Sequence, residues 1–230
     1  STLSLTGTPT ISEAGGVLVY TATLTVAAQS AVTVTLSNGQ LITIEAGQLS
    51  GSVNVPMTSI NDVYINPSQI STTVTGTTGG DGIAITIDPQ PANTQVTDTL
   101  DTTTVSLAAD AAATEGGQIT YTATLTNAAQ TAVTVTLSNG AIINIAAGQS
   151  VGTIKVDAPA NDVYKTTATV TATITGASGG NFEQLAIDGK AASTTIVDST
   201  DTTRVTLSAS STVAENGTIT STATVSNPVT

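Results

Sequence analysis

Apolar and polar residues alternate with a period of two along nearly the whole chain, the pattern of strands that bury one face and wet the other. Between residues 104 and 197 the alternation falls into seven stretches: Thr104–Leu107, Gln118–Thr126, Ala132–Ser138, Ala141–Ala147, Gly152–Val156, Thr166–Thr175 and Ser193–Val197. Turn residues separate them. Asn139-Gly140 is the strongest such signal, because both residues tolerate the positive φ of a tight hairpin, and Gly148-Gln149 marks the next reversal. No window carries a helical period of convincing length.

The same pattern occurs more than once. Asn61-Asp62-Val63-Tyr64 returns as Asn161-Asp162-Val163-Tyr164, and Val32 through Gly39 returns unchanged as Val133 through Gly140. Glu13, Glu115 and Glu215 occupy matching places. The unit is therefore about 100 residues long, which predicts repeats at 1–100 and 101–200 and a partial third at 201–230 with its first two strands. Seven short strands with regular turns predict an all-β fold: tandem immunoglobulin-like β-sandwich repeats. In such sandwiches a Tyr often hydrogen-bonds across the corner before the sixth strand, the place of Tyr64 and Tyr164. A lone hairpin is marginal in water. Residues 201–230 are thus expected either to be a truncated domain or to complete a sandwich in another copy of the chain.

Composition narrows the function. Sixteen acids face four bases, a net charge of −12, so a nucleic-acid partner and anionic lipid headgroups are both disfavoured. Valine, isoleucine, leucine and alanine are too abundant for disorder. There is no Cys and no His, which removes disulfides, Ser-His-Asp hydrolysis and the usual zinc ligands. No apolar run approaches a membrane span. Ser1-Thr2-Leu3-Ser4 lacks the regions of a signal peptide, so the chain reads as an internal piece of something longer.

In a seven-strand sandwich, the connections after the first, third, fifth and seventh strands share one pole. That collects Glu13, Asp62, Asp98 and Asp101 in the first repeat, and Glu115, Asp162, Asp198 and Asp201 in the second. Carboxylates converging without a base repel one another unless a cation intervenes. Hard oxygen ligands with spare loop carbonyls suit Ca2+, with its six to eight oxygens, better than Mg2+. The bland alternative is solubilising surface charge. Glu45, Asp81, Asp110, Asp157 and Glu183 have no acid at the matching position of the other repeat, whereas the eight candidate ligands do. Asp88 and Asp188 also match, but fall in the long connection before the last strand, expected at the other pole.

Catalysis is a poor fit. One Phe, four Tyr and no Trp leave little to line a substrate pocket or stack a sugar. Thr-x-Thr rows such as Thr169-Val170-Thr171-Ala172-Thr173 read as solvated strand faces.

The succession Glu-Gly-Gly, Tyr-Thr-Ala-Thr-Leu, Val-Thr-Leu-Ser-Asn-Gly, Asn-Asp-Val-Tyr, Gly-Gly-Asn-Phe-Glu and Asp-x-x-Asp-Thr-Thr resembles the extender repeats of giant RTX-type bacterial adhesins, and is more distantly similar to Calx-β domains. The resemblance covers essentially the whole chain. It implies calcium-stabilised β-sandwiches strung end to end, secreted, and standing at the bacterial surface as a non-enzymatic spacer between an adhesive tip and the cell. The partners implied are neighbouring repeats of the same chain. A self-assembling surface filament, joined through the C-terminal hairpin, is the second reading. The first repeat departs from the motif at Gly79-Gly80-Asp81-Gly82-Ile83, which lacks the Phe182-Glu183 of the second.

Overall fold

A computed structural model describes residues 1–229. Thr230, the last residue of the expected third-repeat fragment, lies outside them. The chain forms two compact units, Ser1–Thr103 with Asn181–Gln184, and Thr104–Gly180 with Leu185–Thr230.

The strands of the first unit are β1 (Thr2–Gly7), β2 (Thr10–Ser12), β3 (Gly16–Leu24), β4 (Val32–Leu36), β5 (Leu41–Ile44), β6 (Ser50–Met57), β7 (Ser68–Thr72), β8 (Val74–Gly79), β9 (Thr86–Ile87) and β10 (Ala92–Thr97). They make sheets of order β6-β3-β1-β9, β5-β4-β8 and β2-β10-β7. The alternation seen in the sequence becomes burial. Leu18, Tyr20, Ala22 and Leu24 point inward from β3, and Val32, Val34, Leu36, Ile42 and Ile44 meet them from β4 and β5. Removing each larger side chain from water contributes about 1.5–3 kcal/mol.

The next strands repeat the plan: β11 (Thr102–Ala109), β12 (Ala112–Thr114), β13 (Gln118–Leu125), β14 (Val133–Leu137), β15 (Ile142–Ile145), β16 (Val151–Asp157), β17 (Ala168–Ala172), β18 (Ile174–Gly179), β19 (Gln184–Ile187) and β20 (Ala192–Val197). Their sheets run β16-β13-β11-β19, β15-β14-β18 and β12-β20-β17. The Asn139-Gly140 turn closes the β14–β15 hairpin, with Gly140 at φ 84° and Thr136 opposite Ile142. The fold is all-β, as the alternation predicts.

Two stretches differ from expectation. The first strand continues past Leu107, and the chain then forms β12, which pairs parallel with β20. The single strand expected over Thr166–Thr175 divides between sheets, β17 pairing with β20 and β18 with β14. The break is local: Thr173 N–H donates to Ser138 Oγ and its carbonyl accepts from Ser138 N–H, beside a register shift at Thr136/Leu137. Period-two alternation runs through such a switch without a mark. At the expected Tyr corner, the Tyr164 hydroxyl donates instead to Pro228 O at 3.0 Å, and the Tyr64 ring stacks on Phe182.

At the end of β8, Gly79 has φ 82°, and a Cβ there would lie 2.2 Å from Ala31 O. Gly179 is held the same way against Ala132 O. Both glycines set the chain into the connection that carries Asn181–Gln184 in one case and Asp81–Ile83 in the other. After β20, β21 (Val205–Ala209) and β22 (Ser221–Val225) form a lone antiparallel hairpin. Val205 and Leu207 are 66% and 76% exposed, whereas their counterparts Val105 and Leu107 are buried.

Candidate metal centre

Glu13 follows β2 directly, and its backbone is fixed from two sides. Its N–H donates to Thr97 O at 2.9 Å, and its carbonyl accepts from Ile60 N–H at 2.8 Å. The connection after the first strand, the one after β6 and the exit of β10 are thereby brought together, as the topology predicts. The Glu13 side chain is 1% exposed, and its Oε1 accepts from both Thr99 N–H (2.9 Å) and Thr99 Oγ1 (3.1 Å).

Asp62 sits in an Asx turn. Its Oδ1 accepts from Tyr64 N–H and its Oδ2 from Asn66 Nδ2, both at 2.7 Å. Asn66 N–H donates to Asp98 Oδ2 at 3.3 Å, which places Asp98 beside the same turn. Asp101 receives Asn61 Nδ2 on Oδ2 at 2.7 Å, and Asn61 also takes a hydrogen bond from the Thr99 hydroxyl.

Glu183 completes the group. One carboxylate oxygen each from Glu13, Asp62 and Glu183 lie within 4.8 Å of one another. Glu183 Oε2 accepts Asp101 N–H at 2.5 Å, while its Oε1 is buried with no hydrogen-bond partner. The segment is anchored by a one-residue antiparallel bridge between Tyr64 and Phe182, in which Ile65 N–H donates to Asn181 O (3.0 Å) and Glu183 N–H to Val63 O (3.1 Å). The Tyr64 and Phe182 rings stack with centroids 5.7 Å apart. Asn181 takes φ 58°, a conformation Asn tolerates better than most residues.

The charge balance is one-sided. Lys155, Lys165, Lys190 and Arg204 are the only basic side chains in the sequence, and none lies within Ser1–Thr103 or Asn181–Gln184. Burial raises the Glu183 pKa above the ordinary carboxylate range. The Asp101 N–H opposes that shift, and the charges of Glu13 and Asp101 add to it. An oxygen-only set with one unsatisfied lone-pair oxygen has the chemistry of a hard-cation site.

The second unit builds only part of this arrangement. Glu115 is 7% exposed, and its Oε1 accepts Ser199 N–H (3.1 Å) and Ser199 Oγ (3.2 Å), as Glu13 does from Thr99. Asp162 Oδ1 accepts Tyr164 N–H at 2.7 Å. Asp201 lies near Asn161 Nδ2 (3.5 Å) and Ser199 Oγ (3.3 Å), and Asp198 lies on the same strand exit. Among the described residues no three-carboxylate group forms around Glu115.

Comparing the repeats sets Glu183 aside, because position 83 is Ile. The overlooked signal is its neighbour Phe182, the one Phe of the chain, placed straight after a Gly-Gly-Asn turn. Asp88 and Asp188 do not join the group. Each accepts the N–H two residues on, from Gln90 and Lys190.

A family profile described as LapA domain matches residues 1–99 and again residues 101–199. The chain belongs to the LapA domain family. Its LapA repeats make it an adhesin-related repeat segment. Among solved structures, this chain is similar to CBD12 from CALX1.2, with 10% identity over 85% of this chain and 100% of that one and a TM-score of 0.35. It is also similar to a tetra-tandem repeat in the extending region of a large adhesion protein, with 15% identity over 97% of this chain and 62% of that one and a TM-score of 0.35. No curated protein matches this chain. Among the described residues no helix is long and apolar enough to cross a membrane.

Proposed function

We propose that this chain is a calcium-rigidified, non-enzymatic spacer of a bacterial surface adhesin, built from repeats at 1–100 and 101–200 and the beginning of a third at 201–230. One observation carries the calcium reading: Glu13, Asp62 and Glu183 converge within 4.8 Å in a unit without a basic side chain, with one Glu183 oxygen buried and unpartnered. Repulsion among those groups is relieved by a cation. We assign Asp98, whose Oδ2 accepts from the Asn66 N–H beside Asp62, and Asp101, whose own N–H binds Glu183, as further oxygen donors, and Glu115, Asp162, Asp198 and Asp201 as the corresponding set in the second repeat. An ion held by Glu13, Asp62 and Glu183 ties Asn181–Gln184 to the turns that carry Glu13 and Asp62, beside the Asp98–Asp101 stretch whose Asp101 N–H binds Glu183, and stiffens them. Calcium sites of extracellular modules have affinities of about 10⁻⁴–10⁻³ M, so such a site fills outside the cell and empties in calcium-poor cytoplasm.

Calorimetric melts in calcium and in chelator test this directly. Binding only to the folded state raises stability by about 2.7 kcal/mol at a hundredfold excess over the dissociation constant. Coincident melts would remove the reading. Stiffening is checked by small-angle scattering, which is expected to give a narrower distance distribution with calcium and a broader one for Asp101→Asn.

The exposed Val205, Leu207 and Ile219 of the C-terminal hairpin favour a second reading, a surface filament in which that hairpin completes a sandwich in another copy. A chain that stays monomeric at high concentration in calcium is incompatible with it.

A further inference from the structure

In the second unit a groove of about 560 Å³ opens between Val163, Lys165 and Thr167 on one side and the stretch from Thr195 to Asp201 on the other. Its floor is an unused bridge position. Val163 is 37% exposed, and among the described residues neither Val163 O nor Lys165 N–H has a backbone partner. Tyr164 lies between them.

The first unit shows what such a surface holds. Val63, Tyr64 and Ile65 are the matching residues, and there Val63 O accepts Glu183 N–H, Ile65 N–H donates to Asn181 O, and Tyr64 stacks on Phe182. Asn181 Nδ2 adds a bond to Ile65 O at 3.1 Å, and Gln184 Oε1 takes the Thr102 hydroxyl at 2.6 Å. The contacts that fix the segment's path are backbone ones, and the second unit presents the same acceptor and donor in the same sequence register. Adding one short extended segment to an open edge in this way is a recognised mode of peptide docking.

We propose that the Val163–Lys165 groove is a docking site for a loop of the Gly-Asn-Phe-Glu type carried by an adjoining repeat. The aromatic ring stacks on Tyr164, and the following carboxylate is delivered to Glu115 and Asp162. This rests on the spacer reading and goes beyond it, because it makes the joint selective. The chain holds a loop of the other kind as well. Asp81-Gly82-Ile83 occupies the place of Asn181-Phe182-Glu183 and offers neither ring nor carboxylate at the matching positions. A repeat with that loop is rejected by the groove. Lys165, where the first unit has Ile65, adds a positive charge that favours an acidic loop and opposes a neutral one.

The test uses the full chain, isotope-labelled, in calcium, titrated with a synthetic peptide of residues 178–186. The expected result is saturable shifts at the Val163 and Lys165 amides and across 195–201, with one peptide bound per chain. The same peptide with Phe182→Ala, and a peptide of residues 78–86, are expected to leave those amides unmoved. No shift at these amides, shifts centred on residues 61–66, or equal shifts with the control peptides would overturn the proposal. Calcium titrated without peptide keeps the two claims apart. Shifts at Asp162 and Asp201 with calcium but none with peptide remove the docking alone. Peptide binding without any calcium response removes the metal reading and leaves the docking in place.

Discussion

In the first unit the Thr72 hydroxyl donates to Tyr20 Oη at 2.9 Å, both residues being almost wholly buried. The second unit keeps the phenol as Tyr121 but has Ala172 in place of the threonine, and Tyr121 Oη has no hydrogen-bond partner of ordinary geometry. Burial raises its pKa, with the nearby Asn139 side chain pulling weakly the other way. A buried polar group left unsatisfied costs about 1–3 kcal/mol, whereas a made hydrogen bond contributes about 1 kcal/mol net.

The two phenols should therefore answer oppositely to deletion. Tyr20→Phe strands the Thr72 hydroxyl and is expected to destabilise its unit by about 1–2 kcal/mol. Tyr121→Phe removes an orphan and is expected to be neutral or stabilising, and Ala172→Thr to stabilise by about 1 kcal/mol. Denaturant melts of the three variants decide it; equal losses for both Tyr→Phe changes would show that the hydrogen bond is irrelevant.

A second pair tests the same principle on β10 and β20. Thr94 Oγ1 donates to Thr8 O at 2.6 Å, whereas the buried Thr194 Oγ1 has no partner. Thr94→Val is expected to cost about 1–2 kcal/mol by leaving the part-buried Thr8 carbonyl without its partner, and Thr194→Val to cost nothing or to stabilise. The reverse order in thermal melts would contradict the burial argument.

Glu183→Gln should change sign with the solvent. In chelator, removing one of three crowded carboxylates eases repulsion, and the melting temperature is expected to rise. In calcium the same change removes a ligand, and the melting temperature is expected to fall. The pH dependence follows the raised pKa. A carboxyl that holds its proton more tightly when folded stabilises the fold below its unfolded pKa of about 4.3, and that contribution is lost as pH rises through the higher folded value. In chelator the chain should thus lose stability across that window, and the Gln variant should lose less. A fall in melting temperature for Glu183→Gln in both solvents would sink the repulsion argument.

Gly39 and Gly79 share φ 82°, but only Gly79 is crowded by backbone. Gly39→Ala meets open space and is expected to cost about 1–2 kcal/mol of left-handed strain. Gly79→Ala adds a Cβ 2.2 Å from Ala31 O, so the strand end must move. Its loss should be clearly larger. Similar chevron and melt values for the two would place the constraint in the dihedral alone.

Residue alternation made the sandwich legible, because a strand with one wet face must read in twos, and the Asn-Gly turns fixed where it reverses. The switch of β17 to β18 between sheets was hidden, since both halves alternate and only the Thr173–Ser138 backbone exchange separates them. The carboxylates of Glu13 and Asp62 could be placed near each other from strand order. Glu183 could not, because comparing repeats keeps what is shared, and this residue acts where the two repeats differ. A lone Phe after a glycine pair marked the spot without saying what it would touch.

The first unit is assembled without a single lysine or arginine, yet it closes around converging carboxylates. Proteins that carry their own counter-charges hold their joints in any compartment. On the proposed reading the missing charge comes from the medium, so the surroundings act as one more structural component. On the calcium reading proposed above, the Glu13–Asp62–Glu183 group would tighten on arrival in a calcium-rich medium, with no protease, partner or fuel required.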